Sequence, residues 1–228
     1  MSIFRPMISI CRFGNIRKKL NIMSVGCGPC TELAAVDYLR NEGVLNYDQL
    51  DYRGIDPLGD VWKCIWTDIK TYFGDGIQFY PNDILQLVDI IVKHSWVPDV
   101  LIFQYVFSDM YKHSNEEEII QFINKLAGFL NLYDEKPIYI LCNDINLSKS
   151  MGGGREFFDI LESKVENPKI VRKMHFDNIN RDRHYEYGDQ YNSNALVFNN
   201  ITDDIRNAYN PFESCASAQI LIKKERSD

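Results

Sequence analysis

Short apolar runs along the chain alternate with longer stretches in which apolar residues recur every three or four positions. Five strand-then-helix units follow one another in this way, and their strands are predicted at 21–26, 52–56, 77–80, 100–107 and 138–142. The fourth run is apolar on both faces, which is typical of a central parallel strand covered on both sides. The pattern therefore predicts an α/β fold, a doubly wound and mostly parallel sheet with helices on both faces.

The alternation weakens after the fifth unit. Further strands are predicted at 170–176 and 217–224, separated by a long polar stretch without a clear period. The length of 228 residues suits one domain of this class. We therefore expect a single domain over 1–228, with an N-terminal extension at 1–20 and an insertion or loop region at 177–215 before the last strand.

The charge balance argues against two classes of function. With 25 Lys and Arg against 32 Asp and Glu, the net charge of −7 is unlike that of a protein that mainly coats nucleic acid or anionic membrane. A nucleic-acid partner is thus allowed but not favoured. No apolar run approaches the roughly 20 residues of a membrane span, and basic residues interrupt 1–20, so no signal peptide is expected. We expect a cytoplasmic protein without a membrane partner, whose six cysteines are reduced.

Candidate chemistry lies where the strands end, because ligands of such sheets bind at the carboxyl ends of the strands. Gly26 and Gly28 flank Cys27 between the first strand and the first helix. Glycine lets backbone N–H groups approach a ligand, and the following helix N-terminus favours polar or anionic groups. A tight turn without a ligand explains the two glycines equally well.

Acidic residues follow the second and third strands. Asp56, which precedes Pro57, could accept hydrogen bonds from both ribose hydroxyls of a nucleotide-like ligand, or it could cap the next helix. In Asn82-Asp83-Ile84, a carboxylate and an apolar neighbour could hold an adenine amino group and pack on its ring. A helix cap at Asp83 is the alternative, and one residue could serve both purposes.

Polar residues also close the strongly apolar fourth strand. Gln104 and Tyr105 are followed by Ser108 and Asp109, and His113 lies just beyond them. Because buried polar groups need partners, polar groups at the end of so apolar a strand indicate a cleft.

The order of elements and these four strand-end signals resemble the class I S-adenosylmethionine-dependent methyltransferases. The family has a seven-stranded sheet of order 3-2-1-4-5-7-6 with the last strand antiparallel, and the resemblance is best over 21–145. Where the family has an acidic residue and three alternating glycines, this chain has Ser24, Gly26, Gly28 and Cys30. The acid is thus replaced by serine and the third glycine by cysteine. The string 25–33 is similar to a glycine-rich variant of some fungal proteins that include rRNA uridine methyltransferases, which assigns no acceptor.

The resemblance implies an enzyme that transfers a methyl group from S-adenosylmethionine to an acceptor and releases S-adenosylhomocysteine. The acceptor, a small molecule, an RNA or a protein, is not identified. The implied cofactor-binding residues are Ser24, Gly26, Cys27, Gly28, Asp56, Pro57, Asn82, Asp83, Ile84, Gln104 and Tyr105. In this assignment, the glycine turn lines the methionine part, Asp56 holds the ribose, Asp83 and Ile84 meet the adenine, and Gln104 and Tyr105 lie beside the sulfonium.

No catalytic residue is assigned, because methyl transfer depends more on the alignment of donor and acceptor than on acid–base help. If a general base is needed, Asp109, Tyr105 and Asp144 are the first candidates. The family's Asn/Asp-Pro-Pro-aromatic signature for amino acceptors is absent, and residues 107–110 stand in its place.

Two alternatives of other classes stay open. The replacements at Ser24 and Cys30 could mark a degenerate module that binds a cofactor or partner without turnover. Cys27-Gly-Pro-Cys30 is also the thioredoxin redox motif, and it likewise lies between a strand and a helix. Against a dithiol protein, Gly26 stands where thioredoxins carry Trp. A metal site is not expected, because the other cysteines are scattered singly.

Overall fold

A single eight-stranded sheet organises the computed structural model, which describes residues 17–94, 96–177, 186–192 and 217–226. The strands are β1 (Arg17–Val25), β2 (Tyr47–Ile55), β3 (Ile77–Tyr80), β4 (Val100–Gln104), β5 (Ile138–Ile145), β6 (Pro168–Asp177), β7 (Asp189–Asn192) and β8 (Ser217–Lys224). The helices are α1 (Thr31–Asn41), α2 (Gly59–Phe73), α3 (Leu87–Lys93), α4 (Val106–His113), α5 (Glu116–Leu132) and α6 (Glu156–Lys164). Short 3-10 turns lie at Ile84–Gln86 and Lys149–Met151.

The strand order is β3-β2-β1-β4-β5-β8-β6-β7. The pairs among β1 to β5 are parallel, and β8 runs antiparallel between β5 and β6. This confirms the predicted α/β class and the order 3-2-1-4-5-7-6, in which β8 is the seventh strand. The described helices include none long and apolar enough to cross a membrane.

One strand was not predicted. β7 pairs in parallel with the outer side of β6 and makes the sheet eight-stranded rather than seven-stranded. Its sequence, Asp-Gln-Tyr-Asn, is polar, and an edge strand can be held by backbone hydrogen bonds alone. It lies in the stretch predicted as an insertion, most of which is outside the described residues. The same holds for the predicted N-terminal extension, of which residues 17–20 belong to β1.

The sheet has an apolar layer on each face. Alternate residues of β4 show this, because Phe103 packs into the layer of α3 to α6 while Ile102 packs into the layer of α1 and α2. Both side chains are fully buried, which confirms that β4 is covered on both sides. The candidate site lies in the loops at the carboxyl ends of the strands.

The fourth strand is shorter than predicted. It ends at Gln104, and Tyr105 adopts a left-handed conformation (φ +57°) from which α4 starts at Val106. The error arose because Val106 and Phe107 are buried apolar residues on α4, so the apolar run continues through the turn. The turn is fixed by the Tyr105 N–H, which donates to the carbonyl of Asn143 on β5 at 2.7 Å.

Candidate functional site

A cleft of about 390 Å³ opens at the carboxyl ends of β1, β2 and β4. The structure brings most of the predicted cofactor-binding residues to its wall. These are Gly26, Asp56, Pro57, Asp83, Ile84, Gln104 and Tyr105. The volume lies within the range of small-molecule sites. Four residues predicted for the same role, Ser24, Cys27, Gly28 and Asn82, do not line the cleft.

Gly26 forms the edge of the cleft between β1 and α4. Its φ is +64°, and a Cβ atom there would lie 2.8 Å from Cγ2 of Val106. The N–H groups of Gly26 and Cys27 donate to the carbonyl of Ile55 at 2.9 and 3.2 Å, which ties the turn to the end of β2. Glycine is therefore required both by the backbone conformation and by the close approach of α4.

Asp56 follows β2 directly and is only 7% exposed. Its Oδ2 atom accepts a hydrogen bond from the Gly28 N–H, and its Oδ1 atom accepts one from the Leu58 N–H, both at 2.9 Å. The N-cap of α2 is Leu58 and has no side-chain cap, so Asp56 fixes the turn before the helix rather than capping the helix, and its carboxylate also lines the cleft. Each carboxylate oxygen can accept a second hydrogen bond, so both can still bind ligand hydroxyls.

Asp83, like Asp56, both holds a local backbone N–H group and lines the cleft. Its Oδ1 atom accepts the Leu85 N–H at 2.8 Å and so caps the 3-10 turn at Ile84–Gln86, while the residue also lines the cleft beside Ile84. Asn82 does not line it, and its side-chain amide donates to Gln86 at 3.0 Å.

The unpredicted helix α4 forms a wall of the cleft. Asp109, Met110 and His113 face it together, at the three- and four-residue spacing that places side chains on one side of a helix. Leu58, Leu85 and Met110 also line the cleft, and sequence reasoning missed these three, whereas Asp109 and His113 were named from the sequence. A strand end placed at Gln104 would have predicted the contribution of α4, because the register of its face follows from its first residue.

The side chains of Ser24 and Cys27 lie beneath the glycine turn. Ser24 on β1 is fully buried, and Cys27 packs into the layer of α1 and α2. The Gly28 carbonyl accepts a hydrogen bond from the Trp66 indole N–H at 2.9 Å, so this residue, too, is held from the core side. Contacts of these three residues with a cofactor stay a prediction.

The two cysteines of the thioredoxin-like motif have the wrong environment for redox chemistry. Cys27 and Cys30 are buried, free thiols. The pKa of Cys27 is raised by its hydrogen bond with Cys30, by burial and by the nearby carboxylates of Glu32 and Asp56. Attack on a disulfide needs a thiolate, which a lowered pKa favours. The geometry therefore argues against a dithiol protein.

The three base candidates are separated by the structure. Tyr105 and Asp109 line the cleft, and Asp109 lies 3.9 Å from His113. Asp144 is fully buried and is not part of the cleft wall. Its Oδ2 atom accepts the Ser108 N–H at 2.9 Å, which caps α4. Burial raises the pKa of Asp144, while its hydrogen bonds with Ser108, Ile145 and Phe107 act against the shift.

No protein-family profile matches the chain, and no curated protein is similar to it in sequence. Solved structures share its architecture. YcgJ from Bacillus subtilis superimposes with a TM-score of 0.53 at 8% identity, over the full length of both chains. A Listeria monocytogenes protein described as a class I S-adenosylmethionine-dependent methyltransferase (lmo1582) gives 0.51 at 14% identity, over all of this chain and 60% of its own. The bifunctional kinase-methyltransferase WbdD gives 0.52 at 12% identity.

The fold is that of the class I S-adenosylmethionine-dependent methyltransferases. The chain spans about 60% of lmo1582 and about 35% of WbdD, 99% of this chain being covered in the second case. Within the methyltransferase fold, the cleft lies at the carboxyl ends of β1, β2 and β4, where ligands of doubly wound sheets bind.

Proposed function

We propose that this protein binds S-adenosylmethionine in the cleft and transfers its methyl group to an acceptor. The observation that carries the proposal is the placement of Asp56. Its carboxylate is buried at the cleft wall, holds the Gly28 N–H and the Leu58 N–H, and keeps acceptor capacity for two ribose hydroxyls.

The other walls of the cleft suit the rest of such a ligand. Asp83 and Ile84 offer a carboxylate and an apolar side chain for the adenine, and Leu58 and Leu85 add apolar surface. Gln104 and Tyr105 lie at the end of β4, where the methionine part would pass toward the acceptor. When bound, the cofactor would supply an electrophilic methyl group on a sulfonium.

The chain's own contribution to such a reaction is alignment rather than strong acid–base chemistry. If the acceptor must lose a proton, Asp109, Tyr105 and His113 are placed at the cleft to take it. Asp144 is a weaker choice, because its carboxylate is buried against the start of α4. The acceptor could be a small molecule, a protein or an RNA, and the net charge of −7 does not favour RNA.

The direct test is calorimetric titration of the purified protein with S-adenosylmethionine and with S-adenosylhomocysteine. We expect micromolar binding of at least one of them, with one site per chain. A protein that binds neither ligand, while its circular dichroism shows a folded α/β chain, would remove the proposal. Acceptor fractions would then be incubated with methyl-labelled cofactor, and transfer would be read by mass spectrometry.

A second candidate is a module that binds the cofactor without turnover. The residue that favours this candidate is Cys30. It adopts a φ of +57°, a left-handed conformation that the family's glycine adopts readily and in which a cysteine is strained. Tight S-adenosylhomocysteine binding without transfer to any acceptor fraction would support this candidate over the enzyme.

A further inference from the structure

A carboxylate that the proposed reaction does not use lies beneath the glycine turn. Glu32, in the first turn of α1, is only 1% exposed. The hydroxyl of Tyr52 on β2 donates to its Oε1 atom at 2.5 Å. The fully buried Ser24, the next-to-last residue of β1, lies nearby, and its Oγ atom has no hydrogen-bond partner among the described residues.

A carboxylate in this position is costly for the fold. Burial raises the pKa of Glu32, whereas the hydroxyls of Ser24 and Tyr52 and its own backbone N–H act against the shift. The nearby carboxylate of Asp56 raises the pKa further. Two buried acids near one another are unfavourable, because each disfavours the charge of the other.

The contacts of Glu32 connect the elements that build the cleft. Ser24 stands two residues before Gly26, and Tyr52 stands four residues before Asp56. Glu32 itself lies in the first turn of the helix that follows the glycine turn. One hydrogen bond therefore ties the middle of β2 to the first turn of α1, and it does so beside the end of β1.

We propose that Glu32 is a positioning residue, which supplies from α1 the carboxylate that the chain lacks at position 24 and so holds the glycine turn and Asp56 in register for the cofactor. The inference rests on the proposed function, since it concerns binding of S-adenosylmethionine. Glu32 does not touch the cofactor in this role. It acts through the Gly26 to Gly28 turn and through β2.

Moving the carboxylate tests this inference. Four proteins would be titrated with S-adenosylmethionine by calorimetry: the wild type, Glu32→Gln, Ser24→Asp, and the double variant Ser24→Asp/Glu32→Gln. We expect Glu32→Gln to weaken binding about tenfold, the size of one lost charge-assisted hydrogen bond. Ser24→Asp should weaken binding as well, because it sets a second acid against Glu32. The double variant should bind within about threefold of the wild type, because it restores one carboxylate between β1 and β2.

The matched control is Glu42→Gln, which removes an exposed carboxylate beyond the end of α1 and should leave the affinity unchanged. Urea unfolding of every variant separates binding from stability. Recovery of stability in the double variant without recovery of affinity would make Glu32 a structural residue and overturn the inference. Wild-type affinity in Glu32→Gln would overturn it too. A wild type that binds neither S-adenosylmethionine nor S-adenosylhomocysteine would instead refute the proposed function, and the inference with it.

Discussion

The carboxylate of Asp56 and the backbone N–H of Gly28 are joined by a hydrogen bond of 2.9 Å that ties the turn after β1 to the end of β2. The two residues are 28 positions apart in the sequence, and each belongs to a different strand-to-helix turn. The bond sets the glycine turn and the acidic residue at a fixed distance. A ligand that spans both turns therefore meets a preformed surface.

Replacement of Asp56 tests whether this surface binds the ribose of the cofactor. Asp56→Ala removes the charged acceptor for two ligand hydroxyls, and hydrogen bonds to charged groups contribute about 1.5–3 kcal/mol each. We expect at least tenfold weaker binding of S-adenosylmethionine by calorimetry, with a smaller loss in Asp56→Asn. Asp68→Ala, which removes an exposed carboxylate on α2, is the control. Unchanged affinity in Asp56→Ala would contradict the assignment of the ribose to this residue.

The close approach of Gly26 to α4 gives a prediction on stability. Gly26→Ala adds a Cβ atom 2.8 Å from Cγ2 of Val106 at a φ of +64°. Strain and overpacking together should lower the free energy of unfolding by about 2–4 kcal/mol, measured with urea. Gly43→Ala has a similar φ of +70° but open space around it, and it should cost only about 1 kcal/mol.

The double variant Gly26→Ala/Val106→Ala separates the two causes. Removing the Val106 methyl groups relieves the contact but not the backbone strain. We expect the Gly26→Ala change to cost less in the Val106→Ala background than in the wild type. Equal costs in both backgrounds would show that the contact with α4 is not what requires glycine.

The thiols should differ sharply in reactivity. Cys64 on α2 is exposed, whereas Cys27, Cys30 and Cys142 are buried, and burial raises the pKa of Cys142 well above its ordinary value. In the folded protein, iodoacetamide should modify Cys64 within minutes and leave the buried thiols intact for hours, as read by peptide mass spectrometry. Unfolding in urea should make all of them react. Rapid modification of Cys27 in the native state would reopen the dithiol alternative.

The buried carboxylate of Asp144 predicts a pH dependence. Because its folded pKa is raised above the ordinary 3.8, the folded state binds its proton more tightly than the unfolded state does. The contribution of Asp144 to stability is therefore fully present below about pH 4 and is lost as the pH rises through the folded pKa. Urea unfolding of the wild type and Asp144→Asn between pH 4 and pH 7 should show the variant gaining stability relative to the wild type. A difference that stays constant with pH would refute the raised pKa.

The sheet could be predicted from the sequence because each buried strand appears as a short apolar run. An apolar run such as β4, covered on both faces, can be recognised without knowledge of its neighbours. The prediction of the fourth strand failed at Tyr105. There, one residue in a left-handed conformation ends the strand and begins a helix, while the apolar run continues. The prediction of the sheet also failed at β7, whose polar residues are held by backbone pairing to β6.

The residues of the candidate site were likewise predicted in part. Asp56 and Gly26 were predicted correctly as residues of the cleft wall. Their position directly after a strand brings them to the cleft, whichever way the neighbouring side chains point. Cys27 and Ser24 were placed at the ligand by their position in the motif, but the direction of each side chain depends on the turn and the strand pleat. Met110, which lines the cleft from α4, was missed, because the face that α4 turns to the cleft depends on where the helix begins.

The position of β8 between β5 and β6 has a consequence for synthesis. Translation delivers β6 and β7 before the strand that joins them to the rest of the sheet. Until β8 leaves the ribosome, the two earlier strands have each other but no link to β5, and the exposed edge of β5 is open to pairing with other chains. A nascent chain halted just before β8 is therefore the species for which we expect chaperones to compete.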